Sequence, residues 1–99
     1  MTKIAPIVNQ EKADRFNRMF PPRIKQMAKQ IKLIDNCSNK HNYEWQYTDT
    51  VATFFIVIFK ELTLVARKFD LIVDVSIDGK SIEDTYEDAN DKFQDEMEE

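Results

Sequence analysis

Along residues 48–69 the large apolar side chains recur at steps of three and four: Val51, Phe54, Phe55, Ile58, Phe59, Leu62, Val65, Ala66 and Phe69. Residues so spaced share one side of an α-helix, and the pattern predicts one long central helix over about residues 49–69. Asp49 or Thr50 is placed to cap its first turn, while Arg67 and Lys68 in its last turn suit the helix dipole. A second set, Thr53, Val57 and Leu64 with Ile56 beside them, lies off this stripe. The pattern therefore predicts a rod covered on two sides, with the segment 43–47, a following strand or a second protomer as cover. The β-branched and aromatic character of residues 51–59 makes a strand the competing reading. The unbroken length of the stripe favours the helix.

The other elements are read against this rod. Residues 1–8, with Pro6, show no period and predict an irregular arm. Asn9 suits an N-cap for a short helix to about Met19, with Ala13, Phe16, Met19 and Phe20 turned inward. Pro21-Pro22 is expected to stop it, and Pro22 to open a second helix running to Asp35. That helix carries the stripe Ile24, Met27, Ala28, Ile31 and Ile34. The polar run 36–42 is a connector, and Tyr43, Trp45 and Tyr47 alternate with polar residues as if to roof the core. Leu71, Val73, Val75 and Ile77 alternate as in a half-buried strand over about 71–77, closed by the turn signal Asp78-Gly79. Ile82, Tyr86, Ala89, Phe93 and Met97 then mark an acidic amphipathic helix, with Ser81 and Asp84 as a weak capping box. The expected fold is mostly α: a small helical domain on a long central helix, with a short β segment and an acidic C-terminal helix. Residues 1–82 are read as one globular domain and 83–99 as an acidic tail.

Ninety-nine residues, 42% hydrophobic and 32% charged, suffice for one core and are not the composition of a disordered chain. The single glycine argues against a hairpin-rich barrel and rules out glycine-rich phosphate loops. One cysteine, no apolar leader at the N-terminus and no apolar run of membrane length predict a cytoplasmic protein without a membrane partner. The net charge of −4 conceals a separation. Residues 1–82 hold 13 Lys and Arg against nine acids, a net +4, whereas 83–99 hold Lys92 against nine acids, a net −8. Such an asymmetry points to charged partners or to halves that meet each other.

Candidate chemistry is sparse. Cys37 and His41 occur once each; a thiolate–imidazole pair requires hydrogen-bond reach, and zinc about four ligands. A turn with a small buried thiol and an exposed imidazole is the simpler reading. The carboxylates concentrate in a solvated tail rather than a cleft, so neither an enzyme nor a cofactor is expected. Three surfaces remain. Arg15, Arg18, Arg23, Lys25, Lys29 and Lys32 form a basic set suited to nucleic acid or to docking of the tail. Thr53, Ile56, Val57 and Leu64 form a candidate dimer or partner face. Glu83, Asp84, Glu87, Asp88, Asp91 and Asp95 form an acidic partner face.

From Arg23 to Phe69, the basic amphipathic helix, the Asn36-Cys37-Ser38-Asn39 turn, Tyr43-x-Trp45-x-Tyr47-Thr48 and the long apolar helix ending in Lys68-Phe69 form a pattern. It resembles that of small proteins of phages and other mobile elements. The resemblance covers about half of the chain and carries no residue role. It implies a protein that binds and modulates host macromolecules. The functional expectation is a non-catalytic interaction protein that binds a host or partner protein, is able to form a homodimer, and has an acidic tail that mimics nucleic-acid charge. The alternative is a small nucleic-acid-binding regulator using the basic helical face.

Overall fold

The computed structural model describes residues 6–97; residues 1–5 of the arm expected over 1–8, and the expected inward turn of the Met97 side chain, lie outside what it describes. In order, the elements are α1 (Gln10–Asn36), α2 (Thr48–Lys68), β1 (Ser76–Ile77), β2 (Lys80–Ser81) and α3 (Ile82–Met97). The chain divides into two compact units, Met1–Glu44 and Trp45–Glu99. The division thus falls between α1 and α2, and not near residue 82. The acidic helix belongs with the central one.

In the first unit, Asn9 caps α1 as its sequence predicts: the side-chain oxygen accepts from the Lys12 amide at 3.0 Å. The expected break at Pro21-Pro22 does not occur, and one helix of 27 residues passes through both prolines. Each proline removes the amide that would bond four residues back, leaving the Asn17 and Arg18 carbonyls without that donor. All four residues are exposed, so water can satisfy those oxygens and no burial penalty is added. Pro22 also has a φ that a helix accepts. The helix ends where the Ser38 amide and hydroxyl both donate to the Asp35 carbonyl, at 2.9 and 2.6 Å. No residue of α1 is buried.

In the second unit, α2 begins after Tyr47, which caps it without a side-chain bond; neither Asp49 nor Thr50 takes that position. Its end is a Schellman turn: the Leu71 amide bonds the Ala66 carbonyl at 3.2 Å and the Asp70 amide that of Arg67 at 3.0 Å. Asp70 takes the left-handed conformation, φ 62°, that the motif requires. The strand expected over 71–77 contracts to an antiparallel pair, Ser76 opposite Ser81 and Ile77 opposite Lys80. Asp78 and Gly79 close it at φ 54° and 79°, the two positive values of a type I′ turn. Val73, Val75 and Ile77 still alternate inward, while Ile72 stands 91% exposed.

Next, α3 folds back on α2 and their contact is the core. Val57, Ile82 and Ala89 are buried, together with Thr53 and Thr63. Both threonine hydroxyls donate within their own helix, Thr53 to the Asp49 carbonyl and Thr63 to that of Lys60, so neither is buried unsatisfied. At the far end Phe54 meets Phe93 edge-on, with centroids 5.4 Å apart. The packed face is therefore the one carrying Thr53, Ile56 and Val57. Most of the stripe that periodicity marks as the main core points away from it: Phe55 is 44% exposed, Ile58 50% and Val65 48%, while Phe54 at its edge reaches Phe93. The physical reason is size. Thr, Val and Ala side chains let α2 and α3 approach closely, whereas a row of phenylalanines would hold the narrow apolar strip of α3 at a distance.

Candidate functional site

Three helical surfaces carry the chain's chemistry. On α1, successive residues turn by about 100°, which places Arg15, Arg18, Lys25, Lys29 and Lys32 within an arc of roughly 100°. Between Arg15 and Ile34 the sequence has no acid. Arg23 departs from the predicted set: it lies at the border of the apolar stripe, where it lines a shallow groove with Lys12, Arg15, Phe16 and Met19. Opposite the cations run Phe16, Phe20, Ile24, Met27, Ile31 and Ile34, of which Ile24 is 42%, Ile31 55% and Ile34 58% exposed. Phe16 and Phe20 stack at 4.8 Å. α1 is thus an amphipathic helix with no buried residue, its cations exposed on one side and Ile24, Ile31 and Ile34 on the other.

The acidic set divides. Asp84, Glu87, Asp91 and Asp95 are exposed on the side of α3 turned away from α2, and Asp88, also exposed, lies at the edge that borders α2. Glu83 is separate, because its carboxylate accepts from the Lys60 ammonium and, at 2.9 Å, from the Arg67 guanidinium. These two hydrogen bonds, that of Lys60 first, hold its pKa below the ordinary carboxylate range. Lys60 also lies over the Tyr86 ring, 5.6 Å from its centroid. Lys60 and Arg67 are seven residues apart, two turns along one side of α2, and both reach the first turn of α3. That pairing shows which side of α2 is covered, and no local spacing in the sequence announces it.

The predicted partner face is not open. Thr53 and Val57 are buried and Ile56 is half-buried beneath α3, leaving only Leu64, 44% exposed. What faces solvent on α2 is the other stripe, Phe55, Ile58, Leu62, Val65 and Phe69. The aromatic segment is more open than a roof over the core would be, with Tyr43 52%, Trp45 39% and Tyr47 63% exposed.

The Cys37 thiol is exposed, not buried as expected, because it sits at the solvent-facing end of α1, where it donates to the Leu33 carbonyl. A cavity of about 270 Å³ opens where α2, the β-turn and α3 meet, lined by Asp49, Thr53, Ile77, Thr85, Asp88 and Lys92 among others. Of its polar groups, the Thr53 hydroxyl donates to the Asp49 main-chain carbonyl, Thr85 donates to the Ser81 carbonyl, and Asp88 pairs with Lys92. Among the described residues no three His, Cys, Asp or Glu side chains are grouped to hold a metal, and no helix is long and apolar enough to cross a membrane. In comparisons with protein families, with characterised proteins and with solved structures, the chain matches none of them.

Proposed function

We propose that the chain is a non-catalytic interaction protein that engages a partner protein through α1. The observation that carries this reading is the apolar stripe of α1, Ile24, Met27, Ile31 and Ile34, set in a helix with no buried residue. A helix of this kind gains stability when its apolar face enters a groove, and anchors three, four and seven residues apart are how such grooves read a helix. The basic face behind the stripe favours a partner with an acidic rim. The resemblance of residues 23–69 to small phage and mobile-element proteins accords with a modulator of a host protein, and the exposed carboxylates of α3 offer a second, charge-mimicking surface.

Affinity capture from the source cells tests the reading. The full chain retains a discrete protein partner that Ile31→Asp loses. Equal capture by both chains contradicts it. A second reading, a nucleic-acid-binding regulator, is favoured by the acid-free run from Arg15 to Ile34. It requires binding of DNA or RNA that weakens steeply between low and physiological salt and disappears in a Lys25→Glu, Lys29→Glu, Lys32→Glu variant.

A further inference from the structure

The exposed stripe of α2 has an order of its own. Val51, Phe55, Ile58, Leu62, Val65 and Phe69 alternate steps of four and three over five intervals, the repeat of a coiled-coil seam. Phe55, Ile58, Leu62 and Val65 are between 37% and 50% exposed, on the side of α2 that α3 leaves open. The order is also self-complementary on reversal. Laid antiparallel on a copy of itself about the level of Lys60, the seam pairs Val51 with Phe69, Phe55 with Val65 and Ile58 with Leu62. Every layer then joins a β-branched side chain to a larger or γ-branched one, so the layers have nearly equal volume. Parallel alignment would set Phe55 on Phe55 and Val51 on Val51, leaving two overfull and two underfilled layers. Antiparallel alignment also brings the N-terminal end of each helix dipole beside the C-terminal end of the other.

From this we infer that the occupant of the open α2 face is a second copy of the chain, joined by an antiparallel α2–α2 contact with a two-fold axis near Lys60. The contact is isologous, so it closes at two copies. Its area is adequate. Half-exposed phenylalanines with their aliphatic neighbours offer on the order of 500 Å² per chain, hence about 1,000 Å² for the pair, the size of a weak, reversible dimer. On α1 the alternating repeat runs over four intervals, from Phe20 to Ile34, against five on α2. The inference is independent of the partner proposed for α1, because it concerns the other unit and its test needs no other protein.

Sedimentation of the full chain gives the first readout: a dimer mass, with Leu62→Asp raising the dissociation constant about a hundredfold or more. The second reads geometry. In a Cys37→Ser background, one chain carries Val51→Cys and another Phe69→Cys, and a short bifunctional maleimide is added to each and to the mixture. The expected result is a product linking the two different chains in the mixture, with little product in either chain alone. In the antiparallel pair, like ends are 18 residues apart along the axis, roughly 27 Å. Efficient self-linking of the Val51→Cys chain means parallel pairing and overturns the inference. A monomer mass at every concentration, with the seam covered by α1 or left open, overturns it as well.

Discussion

Glu83 shows how one side chain fixes the placement of a helix. Its carboxylate sits in the first turn of α3, where negative charge suits the dipole, and it accepts from Lys60 and Arg67 on α2. Its pKa is lowered, so the proton is bound more weakly in the folded chain than in the unfolded one. The resulting stabilisation is fully present above the unfolded carboxylate pKa and is lost as pH falls through the lowered folded value. Thermal melts as a function of pH should therefore show the native chain more stable than Glu83→Gln at neutral pH, with the two converging in acid. A constant difference between them across the titration would mean that the ion pairs contribute nothing. In the sequence, Ser81 is recognisable as a cap, and its hydroxyl does accept from the Glu83 amide at 3.3 Å. The partnership of Glu83 with Lys60 is not recognisable, because 23 residues separate the two and local spacing says nothing about which distant helix a carboxylate will meet.

At the scale of elements, local patterns located α2, α3 and the Asp78-Gly79 turn, since each is specified by residues close together in the chain: a 3.6-residue period, a capping serine, a dipeptide that accepts positive φ. They misplaced the boundary inside α1. Proline is a strong local signal, but an isolated break in the ladder is tolerated where the freed carbonyls are hydrated and the flanking residues favour helix. Replacing Pro21 and Pro22 with alanine restores two donors and removes a cost of roughly 3 kcal/mol per proline. Hydrogen exchange of the full chain should then show amides from Phe20 to Met27 more slowly exchanging than in the parent. Unchanged exchange would mean that the helix is not continuous through the prolines. Which side of α2 is the core was likewise not legible from hydrophobicity. The larger apolar stripe is outside and the smaller, threonine-bearing one inside, because packing against α3 depends on fit rather than on how apolar a row is.

Among the described residues two long helices, α1 and α2, display apolar stripes to solvent, and the proposal of an interaction protein rests on that feature. Within the second unit, α2 has two faces with different tasks: Thr53, Val57 and Thr63 hold α3, and Phe55, Ile58, Leu62 and Val65 remain open for a further partner. Charge separation, visible in composition alone, maps onto elements that lie in different units, the basic face on α1 and the acidic one on α3. The most direct measurement compares the two faces of α2 by placing one lysine on each and following the denaturant midpoint of dilute, unassociated chain. Val57→Lys buries a charge without a partner and should cost about 3 kcal/mol or more, unfolding the contact of α2 with α3, while Leu62→Lys should cost less than about 1 kcal/mol. If Leu62→Lys instead unfolds the dilute chain as severely as Val57→Lys, the outward stripe is core and the division of α2 into a holding face and a free face is wrong.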